Sequence, residues 1–326
     1  MPHDALITGG AGFIGSHLAH RLLARGSRVI IVDDLSTGSL DNIAPLLSDR
    51  CSFVHGRAGD TLRNQPQLLG GIGQVYHLAA AVGVQLVVDD PVSMIRNNVE
   101  ETATVLDAAA QAGACVLITS SSEVYGRNPW MPLAEDHELH YGPTTSSRWS
   151  YGLSKALDEH LALAHHKAGR LAAVIVRLFN TIGPRQVGHY GMVVPRFVAW
   201  ARANQPLQIY GDGRQTRSFC HVADVVDAMT RLMDEPQHHG QVFNLGSDDE
   251  ISIDQLADRV IQLTGSTSEK RYIPYQQAYD RAFDDPVRRV PDLAKIAGAI
   301  GYHPSRSLDQ TLKQIIQERS NRDKHG

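Results

Sequence analysis

A tyrosine and a lysine near the middle of the chain have the spacing of a paired acid–base group. Tyr151 and Lys155 are four positions apart in a segment whose pattern predicts a helix, so both side chains lie on one face of it. A phenol has an ordinary pKa of about 10, and a neighbouring ammonium favours its ionised form. Such a pair can remove a proton from a hydroxyl group. The same spacing is common by chance, so it needs support from the rest of the sequence.

Three glycines near the N-terminus have the spacing of a dinucleotide-binding turn. Gly9, Gly12 and Gly15 form a GxxGxxG pattern between a predicted strand and a predicted helix. There the backbone must approach a pyrophosphate closely, with the helix N-terminus facing the anion. Asp33 ends the next strand, where a carboxylate accepts hydrogen bonds from ribose hydroxyls and repels a 2′-phosphate. We therefore expect NAD as the cofactor. The alternatives are a glycine turn without a ligand and an ordinary strand-end aspartate.

Alternating apolar and amphipathic segments position these residues. The predicted strands are Ala5–Thr8, Arg28–Val32, Gln74–Leu78, Val116–Ser120 and Ala172–Leu178, and the predicted helices are Ser16–Arg25, Pro91–Ala112, Ser150–Ala168, Ile253–Leu263 and Leu308–Glu318. Strands that alternate with helices imply a parallel sheet with helices on both faces. We therefore predict an α/β fold, with a Rossmann doubly wound sheet over residues 1–180. Residues 181–326 mainly form a smaller α/β substrate lobe, and the chain is free to cross between the two.

The composition argues against several other classes of protein. Apolar residues make up 42% of the 326, and the net charge of −4 gives no general affinity for nucleic acid or an anionic membrane. The three cysteines form no CxxC pair and the histidines no HExxH motif, so we expect neither a disulfide framework nor a metal site. No apolar run is long enough to span a bilayer, and no leader precedes Ala5. We expect a cytoplasmic protein.

Motifs typical of one enzyme family occur in the expected order along nearly the whole chain. They are TGGAGFIG at 8–15, DDLSTG at 33–38, HLAA at 77–80, YGLSK at 151–155, RLFN at 177–180, GPR at 183–185, YGDG at 210–213 and TRSF at 216–219. Together they resemble the extended short-chain dehydrogenase/reductases, the NAD-dependent nucleotide-sugar epimerases and dehydratases. The resemblance implies a Rossmann domain, a C-terminal nucleotide-sugar lobe, and a homodimer usually formed through a helical bundle.

The resemblance also assigns cofactor contacts. The expected NAD-binding residues are Gly9, Gly12, Phe13, Ile14, Gly15, Asp33, Leu78, Ala79, Ala80, Asn98, Tyr151 and Lys155. Lys155 would also hydrogen-bond the nicotinamide ribose. The chain departs from the family pattern at two places near this site. The family often has Gly-Asp, with the aspartate at the adenine, where this chain has Gly56-Arg57, and its Asn-Val-x-Gly-Thr has Glu101 in place of the glycine.

The segment Thr119–Gly126 ends a predicted parallel strand, where ligands of α/β proteins bind. By the resemblance, Ser121 hydrogen-bonds the reacting hydroxyl. Glu123 occupies a position that is usually uncharged in 4-epimerases, whereas Ser122 replaces the acid of the Thr-Asp-Glu run of 4,6-dehydratases. The run Ser-Ser-Glu-Val-Tyr-Gly is more similar to the UDP-glucuronate decarboxylases. We expect Glu123 to be catalytic or to contact the substrate; the alternative is a carboxylate facing solvent.

A second segment, Asp284–Asp292, resembles the Arg-Lys-Pro stretch of the decarboxylases, whose arginine lies near the sugar. Arg289 is the matching position, and Val290 replaces the lysine. Two roles remain equally open for Arg289. It takes part in catalysis beside the sugar, or it only binds the pyrophosphate as its counterpart does in epimerases.

The expected substrate-binding residues are Ser122, Asn180, Arg185, Val194, Tyr210, Arg217 and Arg289. Guanidinium groups suit anionic oxygens, and the resemblance supports Arg217 more strongly than Arg185 as a phosphate partner. It also places Asn180 at the sugar or its diphosphate. Val194 and Tyr210 lie in segments expected to hold the base, although Tyr210 is equally well a core aromatic residue.

Two sugar reactions fit these residues. In the first, UDP-glucuronate is oxidised at C4, the keto group promotes loss of the neighbouring carboxylate as CO₂, and hydride return gives UDP-xylose. In the second, a 4-epimerase acting on UDP-glucose or UDP-glucuronate rotates the keto sugar before the hydride returns. Glu123 favours decarboxylation. A non-catalytic NAD-binding regulator would not need Tyr151 and Lys155, and both are present.

Overall fold

A seven-stranded parallel sheet forms the centre of the molecule. The computed structural model describes residues 3–81, 90–188, 192–274, 277 and 286–322. In spatial order the strands are β11 (Gln241–Leu245), β6 (Ala173–Leu178), β5 (Cys115–Ser121), β4 (Gln74–His77), β1 (Ala5–Thr8), β2 (Val29–Asp33) and β3 (Cys51–His55). Every neighbouring pair is parallel. The predicted doubly wound α/β fold is confirmed.

Nine helices accompany these strands in the described part of the chain. They are α1 (Phe13–Ala24), α2 (Ala58–Asn64), α3 (Pro91–Ala112), α4 (Ser150–Lys167), α5 (Val193–Arg202), α6 (Val222–Asp234), α7 (Ile253–Thr264), α8 (Ala294–Ile300) and α9 (Leu308–Arg322). None of these helices is long and apolar enough to cross a membrane. α3 has clear ends: Asp90 accepts a hydrogen bond from the Ser93 amide, Pro91 is its first residue, and Gly113 follows it with φ +68°.

Both faces of the sheet are covered because side chains alternate along each strand. Ala5 and Ile7 of β1 face a core shared with α1 and α6, whereas Leu6 faces a second core shared with α2, α3 and α4. Strands buried on both faces are continuous apolar runs, as in Val29–Asp33. This is why the sequence pattern located the central strands.

Three small two-stranded sheets lie outside the central one. They pair β7 (Thr181–Ile182) with β10 (Cys220–His221), β8 (Leu207–Tyr210) with β13 (Lys270–Ile273), and β9 (Thr216–Ser218) with β12 (Glu250–Ser252). A separate core joins α5, α7 and α9. In contrast, two elements from the second half of the chain are part of the central layer. β11 is a strand of the central sheet, and α6 packs against one of its faces. The division at residue 180 stays a prediction.

The order of the strands creates the crevice for the site. From β1 the chain adds β2 and β3 on one side and β4, β5 and β6 on the other. Ligands of such sheets bind at the carboxyl ends of the strands, where the order reverses. Thr8 and His77 are paired residues at the ends of β1 and β4, so the crevice opens above them. The glycine turn, Asp33 and the segment after β5 all follow strand ends along this edge.

Candidate active site

The turn between β1 and α1 requires glycine at two positions. Gly9 has φ +70°, and a Cβ there would lie 2.8 Å from the Ala79 backbone nitrogen. A Cβ on Gly15 would lie 2.2 Å from the Gly9 carbonyl oxygen. Gly12 precedes Phe13 and Ile14, the first residues of α1. The turn therefore keeps bare backbone at the N-terminus of α1, which fits a pyrophosphate.

Asp33 is held beside this turn by two backbone amides. Its Oδ2 accepts a hydrogen bond from Ala11 at 2.9 Å, and its Oδ1 accepts one from Leu35 at 2.8 Å. Burial raises the pKa of the Asp33 carboxyl, and the Leu35 and Ala11 amides act against this rise. Each oxygen keeps a lone pair for a ribose hydroxyl. The position fits the adenosine half of NAD.

The loop after β4 lies opposite the glycine turn. Leu78, Ala79 and Ala80 are half-buried there, and Ala79 donates to Thr8 Oγ1 at 3.2 Å. Asn98 of α3 accepts a hydrogen bond from the Ala81 amide at 2.8 Å and donates to Ser154 Oγ at 3.3 Å. Asn98 therefore positions this loop against α4, and direct contact with NAD stays a prediction.

The two departures from the family pattern contact each other. Arg57 Nη2 lies 3.0 Å from Glu101 Oε1 and donates to Asn97 Oδ1 at 2.8 Å. Glu101 Oε2 also accepts a hydrogen bond from the Gly59 amide at 2.5 Å. The guanidinium that replaces the expected aspartate is thus neutralised by the carboxylate that replaces the expected glycine. The two changes form one interaction between α3 and the residues after β3.

Tyr151, the predicted catalytic tyrosine, lies in the first turn of α4. Ser121, at the end of β5, hydrogen-bonds the Tyr151 phenol. Burial raises the pKa of Tyr151, the Glu123 charge raises it further, and the Ser121 hydrogen bond acts against both. Without a bound cationic cofactor the phenol is therefore protonated at neutral pH. Lys155, one turn further along α4, is 2% exposed and donates to Asp158 Oδ2 at 2.8 Å.

Glu123 lies between two arginines in the short 3₁₀ turn Ser122–Tyr125. Its Oε2 accepts a hydrogen bond from Arg148 Nη1 at 2.5 Å, and its Oε1 accepts one from Arg289 Nη1 at 2.7 Å. Burial acts to raise the pKa of Glu123, but Arg289 and Arg148 outweigh it and lower the pKa to about 2. Glu123 is consequently ionised at neutral pH, and the cluster of two guanidiniums and one carboxylate carries a net positive charge.

Arg148 is the functional candidate that sequence analysis missed. It lies three residues before Tyr151 in the turn Ser147–Trp149, and it is buried. Its guanidinium also lies over the Trp149 ring, 5.3 Å from the centroid. The available signal was its position three residues before Tyr151, in the turn that leads into α4.

Arg289 reaches this cluster from a segment far along the chain. Leu133 donates to the Val290 carbonyl at 2.8 Å, and Asp292 donates to the Leu133 carbonyl at 2.7 Å. These backbone bonds fix Arg289 beside Glu123. The predicted segment also includes Asp284 and Asp285, which lie outside the described residues.

Of the other predicted substrate residues, Ser122 is buried next to Glu123 in the chain, and the following contacts describe the rest. Asn180 donates to the Ser218 carbonyl at 2.8 Å, and Arg217 donates to the Thr216 carbonyl at 2.7 Å. Tyr210 accepts a hydrogen bond from Arg196 at 2.8 Å. Val194 is buried in the core of α5, α7 and α9. Substrate contact by these residues stays a prediction.

Arg185 takes a different direction from the other predicted phosphate partners. Its φ is +69°, its amide donates to Glu318 Oε2 at 2.7 Å, and its guanidinium lies 3.4 Å from the Asn42 carbonyl. Asn42 in turn donates to the Ala11 carbonyl in the glycine turn. Arg185 therefore lies towards the cofactor turn and α9, and not in the Glu123 cluster.

Comparison with known proteins agrees with this geometry. Residues 5–246 match the model of the NAD dependent epimerase/dehydratase family. The chain belongs to this family. Its cofactor is NAD, as predicted. Among the described residues, no group of three His, Cys, Asp or Glu side chains is arranged to hold a metal ion.

Individual members of the family are similar over almost the whole chain. The chain is 39% identical to a UDP-N-acetyl-α-D-glucosaminuronate decarboxylase from Bacillus cytotoxicus, over 97% of this chain and 98% of that protein. It is 38% identical to UDP-glucuronic acid decarboxylase 2 from Arabidopsis thaliana, over 96% of this chain and 67% of that protein. A UDP-glucuronic acid 4-epimerase from Bacillus cereus, solved with UDP-glucuronic acid and NAD, has 28% identity and a TM-score of 0.87, covering 98% and 99%.

Proposed function

We propose that the protein decarboxylates a UDP-linked uronic acid, with UDP-glucuronate as the leading substrate and UDP-xylose as its product. The observation that carries this proposal is the cluster of Arg148, Glu123 and Arg289 beside Tyr151. Two guanidiniums share one carboxylate, so the cluster has positive charge left for a second carboxylate. A sugar with an uncharged C6 would leave that charge unused. The named decarboxylases among the relatives support the same reaction.

The residues present divide the reaction between them. The bound cofactor would supply a hydride acceptor for C4 and, once reduced, the donor that restores that hydride. Tyr151 takes the proton of the C4 hydroxyl, and Ser121 hydrogen-bonds the same oxygen. The new C4 ketone lies β to the carboxylate, so the C5–C6 bond breaks and its electron pair moves to the C4 oxygen as CO₂ leaves. Tyr151 and Ser121 then donate to the enolate oxygen, and C5 takes up a proton from solvent in place of the lost CO₂.

Arg148 and Arg289 would position the carboxylate before it leaves. Loss of CO₂ requires the C5–C6 bond to lie perpendicular to the plane of the ketone, so that its electrons enter the carbonyl. A bidentate guanidinium contact fixes a carboxylate in one plane. Glu123 holds both arginines in place and, being ionised, prevents them from binding the carboxylate so tightly that CO₂ cannot form.

One other substrate and one other reaction define the alternatives. UDP-N-acetylglucosaminuronate would undergo the same decarboxylation, and the 39% identical relative is named for it. A 4-epimerase of UDP-glucuronate would bind the same carboxylate but retain it, as the name of the solved Bacillus cereus protein indicates. The arginine cluster suits both acids and both reactions, so the product identifies the substrate and the reaction.

The test is NMR of the purified protein with NAD and, in separate samples, UDP-glucuronate, UDP-N-acetylglucosaminuronate and UDP-glucose. We expect UDP-xylose and released CO₂ from the first sample. If CO₂ is released only from the sample with UDP-N-acetylglucosaminuronate, that acid is the substrate instead. UDP-galacturonate or UDP-galactose without CO₂ would replace decarboxylation by epimerisation. Tyr151→Phe is the control, because it should abolish turnover while NAD still binds.

We also propose that two copies associate through α3 and α4. These helices pack together, and each leaves apolar side chains exposed: Val92 and Ile95 on α3, and Leu153 and Leu157 on α4. Burying both strips against a second copy would form a four-helix bundle. We further propose a cytoplasmic location. Cys51, Cys115 and Cys220 are free thiols, and thiols stay reduced in the cytosol.

A further inference from the structure

A buried carboxylate lies beneath the reactive pair, outside every motif described above. Asp158 follows Lys155 by three residues on α4, and its Oδ2 accepts the Lys155 hydrogen bond at 2.8 Å. The Asp158 side chain is 0% exposed and that of Lys155 is 3% exposed. Within the described residues, the only side-chain hydrogen bond of Lys155 is therefore one to a carboxylate that solvent does not reach.

Hydrogen bonds continue from Asp158 across the sheet. A hydrogen bond with the Thr102 hydroxyl of α3 acts to lower the pKa of Asp158. The same hydroxyl lies 3.0 Å from His77 Nε2. His77 Nδ1 lies 2.8 Å from Thr8 Oγ1, which accepts the Ala79 amide hydrogen bond. Burial, reinforced by the Lys155 charge, lowers the pKa of His77 to about 3. The imidazole is thus neutral, with one donor and one acceptor nitrogen for the two hydroxyls.

Stability alone does not explain this arrangement. Desolvating a salt bridge costs about as much free energy as the pair regains. Asp158 Oδ1, moreover, makes no hydrogen bond to any of the residues that the structure describes, and a buried acceptor without a partner costs roughly 1–3 kcal/mol. A neutral residue at position 158 would avoid that cost but would leave the buried Lys155 ammonium without its carboxylate partner. The carboxylate therefore has its effect on Lys155, which it holds at one place on α4.

We propose that Asp158 is a positioning residue: it fixes the Lys155 ammonium within the crevice and sets how strongly that charge acts on Tyr151. A neutral side chain at 158 would leave the full field of the ammonium acting on the phenol. With the carboxylate in place, part of that field is cancelled, and the phenol loses its proton only when the cationic cofactor adds its own charge. Lys155 is thereby fixed in position, while Tyr151 stays protonated in the enzyme without bound cofactor.

The charges around the phenol fix the sign of the effect. Burial is the main cause of the raised pKa of Tyr151, followed by the charge of Glu123 from the turn after β5, and Asp158 adds to the rise from below. Ser121 opposes it. Around Asp158 lie Lys155 and Glu159 on α4 and Thr102 on α3. Removing the Asp158 charge while keeping the ammonium must therefore let Tyr151 ionise at lower pH.

Since the inference rests on the proposed roles of Tyr151 and Lys155, its first test is kinetic. In Asp158→Asn we expect the acidic limb of kcat against pH to move down by about one pH unit. We expect kcat on the plateau to fall several-fold, because Lys155 is less firmly placed, and KM for the nucleotide-sugar to change little. A merely structural role would lower kcat without moving the midpoint. An unchanged midpoint overturns the proposal.

The matched control is Asp224→Asn. Asp224 is also buried at a helix, but its partners are Ser305 and Arg306, so its charge should leave the midpoint unchanged. If Asp224→Asn moves the midpoint as far as Asp158→Asn does, the effect is not specific and the proposal fails. Asp158→Ser provides a second neutral variant if the asparagine form does not fold.

A second measurement needs no sugar at all. Tyrosinate absorbance of the NAD-bound protein is followed against pH, and the difference between wild type and Tyr151→Phe isolates Tyr151. The same difference in the Asp158→Asn background should titrate at lower pH. If no uronic acid is decarboxylated but this shift occurs, the proposed function fails and the inference stands. If decarboxylation occurs and neither midpoint moves, the inference alone fails.

Discussion

At the scale of single residues, the central feature of the candidate site is the Glu123 carboxylate, which two arginines share. Glu123 accepts hydrogen bonds from Arg148 and Arg289, and an anionic sugar would have to join the same two guanidiniums. Each arginine is almost fully buried, so its charge is little screened by solvent. We therefore expect the balance between these three side chains to affect both substrate binding and reaction.

Adjacent arginines give a direct test of this cluster. Arg289→Gln removes a donor from Glu123 and from the proposed sugar carboxylate, so we expect kcat/KM for UDP-glucuronate to fall about 100-fold. Arg288 pairs instead with Glu250 and is half exposed, so Arg288→Gln should change kcat/KM about twofold at most. Steady-state kinetics of both variants checks this, and equal losses would contradict the assignment.

The same carboxylate predicts a pH dependence of stability. The pKa of Glu123 is lowered from 4.5 to about 2, so its ionised form stabilises the folded state above pH 4.5. This contribution is about 3 kcal/mol and is lost as the pH falls from 4.5 towards 2. Urea unfolding of wild type and Glu123→Gln should show a stability difference that is constant from pH 7 to 5 and shrinks below 4.5. A difference independent of pH would refute the ion-pair explanation.

Sequence reasoning located residues with a motif and missed those defined only by their neighbours. Glu123 and Arg289 were predicted separately, and the structure brings them within 2.7 Å. Arg148 and Asp158 were not predicted, because a single arginine or aspartate in an amphipathic segment is usually a solvated side chain. Only three-dimensional packing shows that both are buried against charges. The pair formed by Arg57 and Glu101 likewise needed the structure to join two separate departures.

At the scale of elements, the turn from β1 into α1 predicts a sharp sensitivity. Gly15→Ala would put a methyl group 2.2 Å from the Gly9 carbonyl oxygen, so the turn must deform. We expect NAD affinity, measured by calorimetry, to fall at least tenfold. Gly298→Ala is the control, since a Cβ there meets nothing within 4 Å on exposed α8 and should slightly stabilise the protein. Normal NAD binding by Gly15→Ala would count against the turn as the pyrophosphate site.

Three of the elements that the sequence did not predict have a weak sequence pattern. β3 is half-exposed at the sheet edge, with a mixed run Cys51–His55, and α2 is only seven residues long. β11 follows a region where the alternation of strands and helices weakens. None has the fully buried apolar run or the long amphipathic period that made β1 or α3 predictable. The predicted helix at Ser16 begins at Phe13 instead, since the glycine turn leads directly into α1.

At the scale of the whole molecule, the proposed dimer is testable through one exposed leucine. Leu157 of α4 is 51% exposed in the single chain, and the bundle would bury it in both copies. Light scattering should give twice 35.7 kDa for wild type and one chain mass for Leu157→Lys. Leu47→Lys, at an exposed leucine away from α3 and α4, should stay dimeric. A monomeric wild type would exclude the dimer.

The late position of β11 has a consequence for synthesis on the ribosome. The first 180 residues contain the cofactor turn and the reactive helix, but β6 then lacks its outer neighbour and the face under α6 has no cover. An open apolar edge of that kind favours aggregation. We therefore expect a chain that ends before residue 222 to aggregate during synthesis, because this edge and this face of the sheet stay uncovered until residues 222–245 are made.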